Sequence, residues 1–159
     1  MAEISIAAGS VAAIVSPAAN QIATVTARGI AGGTIVPGQV LYADPSANNQ
    51  LKPAQATNAL QASNVVGIAL GSANPNQPVT YAIGGDVQLQ SASAPLVASG
   101  SVYVLAAGTA GNIVSTNDGA APAAGSGNFS SIIGIGNAPA VSGTTNVLRL
   151  VVMPAAVRL

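Results

Sequence analysis

Residues 79–90 read VTYAIGGDVQLQ, and this stretch decides the fold class. Val87 and Leu89 alternate with Gln88 and Gln90, the period-two pattern of a half-buried strand. The arm before it is rich in β-branched and aromatic residues, which suit a pleated surface. Gly84-Gly85 lies between the two arms and supplies the positive φ angles of a two-residue hairpin turn. The stretch therefore predicts a β-hairpin, residues 79–83 against residues 86–90.

The same punctuation runs outward in both directions. Short apolar or alternating runs are separated by Gly, Pro, Asn and Ser clusters, the signature of an all-β chain. The candidate strands are residues 22–27, 40–43, 65–70, 79–83, 86–90, 102–105, 132–135 and 146–153. One segment, residues 53–62, has helical composition, with Pro53 placed where a first helical turn tolerates it, but Leu60 is its one sizeable anchor and it reads equally as a loop. The expected fold is a small β-sandwich or β-barrel, jelly-roll or tulip-like; strand order is not legible in runs this short.

An internal repeat accompanies the strands. Gly38-Gln39-Val40-Leu41-Tyr42 corresponds to Gly100-Ser101-Val102-Tyr103-Val104, an offset of 62, and Val65-Val66-Gly67-Ile68 corresponds to Ile132-Ile133-Gly134-Ile135, an offset of 67. Val79 then aligns with Val147, and residues 116–128 read as the loop insertion that accounts for the growth. Two copies are too few for a solenoid, so the expectation is one β domain, residues 21–159, built from two similar units at about 38–90 and 100–153. Gly67 and Gly134 fall between aliphatic residues, where a glycine marks a bulge or a close backbone approach.

Composition narrows the chemistry. The 159 residues include no His and no Cys, four Lys plus Arg and four Asp plus Glu. Thiol catalysis, imidazole acid–base chemistry, disulfides and thiolate or imidazole metal sites are thereby excluded. No two of Glu3, Asp44, Asp86 and Asp118 are close in sequence, and Asp44-Pro45 and Asp118-Gly119 are ordinary turn settings. Asp86 is expected to accept backbone N–H bonds beside the Gly-Gly pair. A nucleophilic serine would need a base, and Lys52 is the sole side-chain amine, with no serine motif around it. Catalytic, cofactor-binding and metal-ligating residues are each read as none, and the chain is expected not to be an enzyme. Arg28, Lys52, Arg149 and Arg158 are spaced singly, which argues against phosphate neutralisation and nucleic acid. Charged residues make up 5% of the chain and cancel to zero, a composition that favours association.

Residues 4–27 are uncharged but carry many Ser, Thr, Asn and Gln side chains, so no membrane span is expected. Met1-Ala2-Glu3 lacks the positive start of a secretory leader, and synthesis in the cytoplasm without a cleaved segment is expected. Residues 1–20 read as an N-terminal arm or a first strand. The large apolar residues there, Ile4, Ile6, Val11, Ile14 and Val15, are the candidate interface residues.

The order G-x-x-V/L-Y, variable loop, V-V-G-I-A, Gly/Pro/Asn loop, strand and G-G-D/G-x-V hairpin is matched here by residues 38–42, 65–69, 71–78 and 79–87. A weaker second set lies at 100–104 and 132–152. This cadence resembles the small capsid decoration, or cement, proteins of tailed bacteriophages, over roughly residues 21–153. The resemblance implies a compact β fold that trimerises and binds the outer surface of an assembled capsid, with the major capsid protein and its own copies as partners and no cofactor. The N-terminal segment departs from the pattern, being longer and richer in Ala. The alternative is a β-rich fibre, adhesion or surface-layer subunit, which would associate end to end instead of closing.

Overall fold

A computed structural model describes residues 6–91, 100–116, 129–137 and 145–158. The strands are β1 (Ile6–Ala13), β2 (Val25–Ile30), β3 (Val40–Asp44), β4 (Gln50–Pro53), β5 (Val65–Ala69), β6 (Pro78–Ser91), β7 (Val102–Leu105), β8 (Ile113–Ser115), β9 (Phe129–Gly136) and β10 (Thr145–Arg158). One short helix, α1 (Ala59–Ser63), precedes β5. Strands dominate the described residues, and the antiparallel sheet curls into a half-barrel. The fold is all-β, as the strand-length runs require.

The expected hairpin does not form. Residues 78–91 are one continuous strand of 14 residues. Along its first half β6 pairs with β2 and β5, and along its second half with β1 and β10. The Gly-Gly pair lets one strand pass between two sets of neighbours without reversing. Gly85 has φ +72°, and a side chain there would collide with the carbonyl of Ala23. Opposite this point the β2 register slips between Val25 and Thr26, the mark of a bulge. As a result Ala82, Val87 and Leu89 all face one core. Local turn chemistry permitted a hairpin, but partners from elsewhere in the chain took the ladder bonds its arms would have shared.

Residues 53–62, helix or loop by sequence, are both in turn. Pro53 closes β4 opposite Leu41, and the Ala54 and Ala56 amides donate to Val40 and Ala106. Helix starts only at Ala59, after Asn58, whose side chain accepts from the Leu60 and Gln61 amides. A polar Asn with extended backbone is a good N-cap, and α1 lasts five residues.

The strand order is β4-β3-β5-β6-β10-β9-β7-β8. It reads as two four-strand blocks back to back, β4, β3, β5, β6 answering β8, β7, β9, β10. Pairing follows the repeat residue by residue. Val40, Leu41 and Tyr42 face Ile68, Gly67 and Val65, with a shift after Leu41. Val102, Tyr103 and Val104 face Ile135, Gly134 and Ile132, with a shift after Tyr103. The last strand corrects one alignment. Ile68 faces Ala82 and Ile135 faces Arg149, so the offset of 67 persists and Val147 is the counterpart of Thr80, not of Val79. The insertion expected at residues 116–128 lies almost wholly outside the described residues.

Both glycines mark close approaches. A Cβ at Gly67 would run into the Ala82 carbonyl, and one at Gly134 into the Arg149 carbonyl and Leu148. The main core joins both blocks through Tyr42, Ile68, Leu89, Tyr103, Leu105 and Leu148. A second core, around Ile35, Leu41, Leu51 and Val79, belongs to the first block alone. That block closes on itself, since Ala31 bridges Leu51 and the Gly32 amide donates to the Leu51 carbonyl at 2.8 Å.

Candidate functional site

Of the five interface candidates, Ile4 lies outside the described residues, and Ile6 opens β1 opposite Ser91. Val11 faces Leu89 across β1 and β6 and packs, half-buried, against the main core. Ile14 is half-buried, and Val15 is 86% exposed. The structure thus separates them: Val11 faces inward, while Val15 stands in solvent.

Ile14 and Val15 begin a loop, residues 14–24, that leaves β6 after Ala13 faces Val87 and returns where Val25 faces Gly84. Its neck is closed by two bonds: the Thr24 amide donates to the Ile14 carbonyl at 3.0 Å, and the Ile14 amide to Thr24 Oγ1 at 2.7 Å. Its tip turns at Asn20, with φ +63°, and the Gln21 side chain accepts from the Ala18 amide. Asn is among the few side chains that adopt this left-handed conformation readily.

Under the loop lies Asp86, fully buried. Oδ1 accepts from Arg149 Nε at 3.0 Å. Oδ2 accepts from the Ile22 amide at 2.8 Å, from Asn137 Nδ2 at 3.0 Å and from Arg149 Nη2 at 3.1 Å. The Asp86 amide donates to the Ile22 carbonyl, and its carbonyl accepts from Thr24 Oγ1. Arg149 Nη2 and Asn137 Nδ2 also donate to the Asn20 carbonyl. Its bond to Asp86 raises the Arg149 guanidinium above its ordinary value. A buried charge is tolerable only when paired and hydrogen-bonded, and this one meets four donors. Asp86 does accept a backbone N–H, but not at a Gly-Gly turn as expected: the amide belongs to Ile22, 64 residues away, and Arg149 is a partner that the turn reading did not contain. Its signal was available, because Arg149 is the one cation inside the apolar run Val147–Val152, and a charge in a buried strand needs a partner.

The second acid sits at an edge. Asp44 caps a short 3-10 turn, accepting from the Ser46 amide at 3.0 Å and Ser46 Oγ at 2.6 Å, and pairs with Lys52 Nζ at 2.8 Å. The Lys52 bond, then the Ser46 hydroxyl, hold its carboxyl down at about 2. Burial, followed by the nearby Asp44 charge, raises the Tyr42 phenol. Both acids are thus engaged in structural bonds. Among the described residues no three His, Cys, Asp or Glu side chains gather as a metal site, and no helix is long and apolar enough to cross a membrane.

A second feature is a cleft of about 230 Å³ between the turn before β3 and the turn before β8, bounded by residues 36–39 and 109–112. Its walls are tied together: the Val40 amide donates to the Gly111 carbonyl and the Gly111 amide to the Ala54 carbonyl. Neither the loop of residues 14–24 nor the cleft carries a charged side chain. The chain matches no protein-family model, and no curated protein matches it in sequence.

Proposed function

We propose that this chain is a non-enzymatic structural subunit of a tailed-phage virion. In this reading it is made in the host cytoplasm, and its homotrimer binds the outside of the assembled capsid, with the major capsid protein as partner, and stabilises the shell. The observation that carries the reading is a neutral surface that leaves large apolar side chains in water. Val15 is 86%, Met153 54%, Ile22 51% and Val25 50% exposed. Meanwhile two of the four cations, Lys52 and Arg149, are already neutralised by Asp44 and Asp86. Such a surface suits apolar and main-chain docking better than ionic docking.

Selective binding to the assembled shell stabilises it by mass action. Exposed ion pairs weaken in salt, whereas apolar burial does not. Purified particles are therefore expected to contain the chain in fixed ratio to the shell protein and to retain it from about 0.1 to about 1 M NaCl. Particles stripped of the chain should break at lower temperature than decorated ones. Absence from particles, or equal heat resistance with and without it, would overturn the proposal. End-to-end filaments of the purified chain would favour a fibre or surface-layer subunit instead.

A further inference from the structure

We infer that residues 6–24, β1 with the loop behind it, are a strap that opens from the sheet as one unit, and that Asp86, Arg149 and Asn137 are the latch that sets how often it opens. The inference does not depend on the virion reading above.

Parts of a fold open separately where few apolar contacts hold them down. None of residues 11–24 is fully buried: Val11, Ile14, Gln21 and Thr24 are half-buried and the others are exposed. Val11 alone among them packs against the main core. Among the described residues β1 pairs with β6 only, and its register slips between Ile6 and Val11. The contrast is β3, which lies between β4 and β5 with Val40 and Leu41 fully buried.

Polar bonds hold the strap instead, and they gather at one end of it. The Ile22 amide donates to Asp86 Oδ2, and the Ile22 carbonyl accepts from the Asp86 amide. Thr24 Oγ1 donates to the Asp86 carbonyl. The Asn20 carbonyl accepts from Arg149 Nη2 and Asn137 Nδ2. Residues 20–24 are thereby fastened to β6, to β10 and to the residue that follows β9. Gly85 completes the seat, because a side chain there would collide with the Ala23 carbonyl.

The latch has a fully buried acid at its centre and a cover with no buried side chain of its own. Lifting the cover breaks these bonds but returns water to a carboxylate that is costly to bury. Hydration offsets part of the loss, so this opening costs less than unfolding the core. The unit ends at Thr24: beyond it β2 pairs with β6 from Val25 to Ile30, and Ala31 bridges Leu51. With the strap lifted, the β6 edge over residues 87–91 loses β1 and presents unpaired ladder groups.

The test is native-state hydrogen exchange on the full chain, with two variants that loosen the latch without stranding a charge. Asn137→Ala removes the side-chain bonds to Asn20 and Asp86 and leaves Asp86 its Arg149 partner. Thr24→Val keeps the side-chain shape and removes the hydroxyl. In the unaltered chain the Ile14, Ile22, Thr24 and Asp86 amides are expected to share one opening free energy. They should be at least about tenfold less protected than the Val40, Ala54 and Ala69 amides. Asn137→Ala bonds none of these amides directly, yet it should lower protection of the whole strap group roughly tenfold, as losing one or two hydrogen bonds does. Thr24→Val should do the same at Ile22 and Asp86. Neither variant should change the Val40, Ala54 and Ala69 amides. Strap amides as protected as the core, or opening at unrelated free energies, would overturn the unit. Variants that loosen both groups alike would also overturn it, and strap amides unmoved by either variant would overturn the latch.

Discussion

Asp44 and Asp86 each meet one cation, but Lys52 lies 8 residues from Asp44 and Arg149 lies 63 from Asp86. The first pair closes the β3–β4 edge, where the same residues would be neighbours in any hairpin of that register. Its Lys52 side chain is 32% exposed. The second pair joins the middle of β6 to β10, with no exposure at the acid, and it draws in Asn137 and the loop of residues 14–24. The same charge chemistry therefore trims an edge in one place and fixes the tertiary arrangement in the other. The first pair contributes less because water still reaches the Lys52 ammonium, although Asp44 itself is buried. Removing one member of a buried pair strands the other without partner or water.

The largest expected effects are at the Asp86–Arg149 pair. Asp86→Ala leaves Arg149 Nε and the Ile22 amide without this acceptor and leaves Arg149 Nη2 and the Asn137 side chain only the Asn20 carbonyl. It should destabilise the chain by about 3 kcal/mol or more, measured by urea unfolding. Arg149→Met should cost at least as much, because it leaves the fully buried Asp86 carboxylate with only the Ile22 and Asn137 donors. The Arg149 head left by Asp86→Ala, by contrast, is 37% exposed and can be hydrated. The double variant should recover part of the loss, the sign of direct coupling. If Asp86→Ala proved no worse than Asp44→Ala, the distinction between the two pairs would fail.

Next come the paired glycines, which compare the two blocks directly. Gly67→Ala and Gly134→Ala should each cost ~1–3 kcal/mol by forcing backbone apart. Gly67 should be the more sensitive, because its added carbon falls closer to the opposing carbonyl. Unchanged melting temperatures in both would show that the sheet can relax there.

Asp44 gives a smaller effect that appears only in acid. Its carboxyl is held at about 2 in the folded chain, below its ordinary value near 4. A depressed acid contributes its stability above the unfolded value and loses it as pH falls through the folded one. Melting temperature should therefore drop between about pH 4 and pH 2, and Asp44→Asn should flatten that part of the profile. The smallest effect belongs to Lys52→Met at neutral pH, detectable mainly as a shift of the same acid limb toward higher pH. A limb unmoved by either change would remove the pair from the account.

Much of the architecture was legible before any coordinates. Strand-length runs, turn residues and the 62- and 67-residue offsets are properties of short windows, and the backbone answers to them locally: β3, β5, β7 and β9 lie within a few residues of expectation. The strands β4 and β8 were missed because Gln50-Leu51-Lys52-Pro53 and Ile113-Val114-Ser115 are too short to display a period. The extent of β1 was equally indistinct in an Ala-rich segment, and Val11 and Val15 could not be told apart as inward and outward.

What the sequence determined alone was the class of fold, the twofold repeat and the absence of thiol and imidazole chemistry, since these depend on composition and on spacing along the chain. Tertiary structure decided the rest. It made Gly84-Gly85 a crossing within one strand, because β1, β2, β5 and β10 compete for the edges of β6 and a glycine pair can bend either way. It also placed Asp86 under residues 14–24 and against Arg149. Sequence windows carry local propensity, whereas a pairing across 63 residues is set by which strands become neighbours, and that is a property of the folded sheet alone.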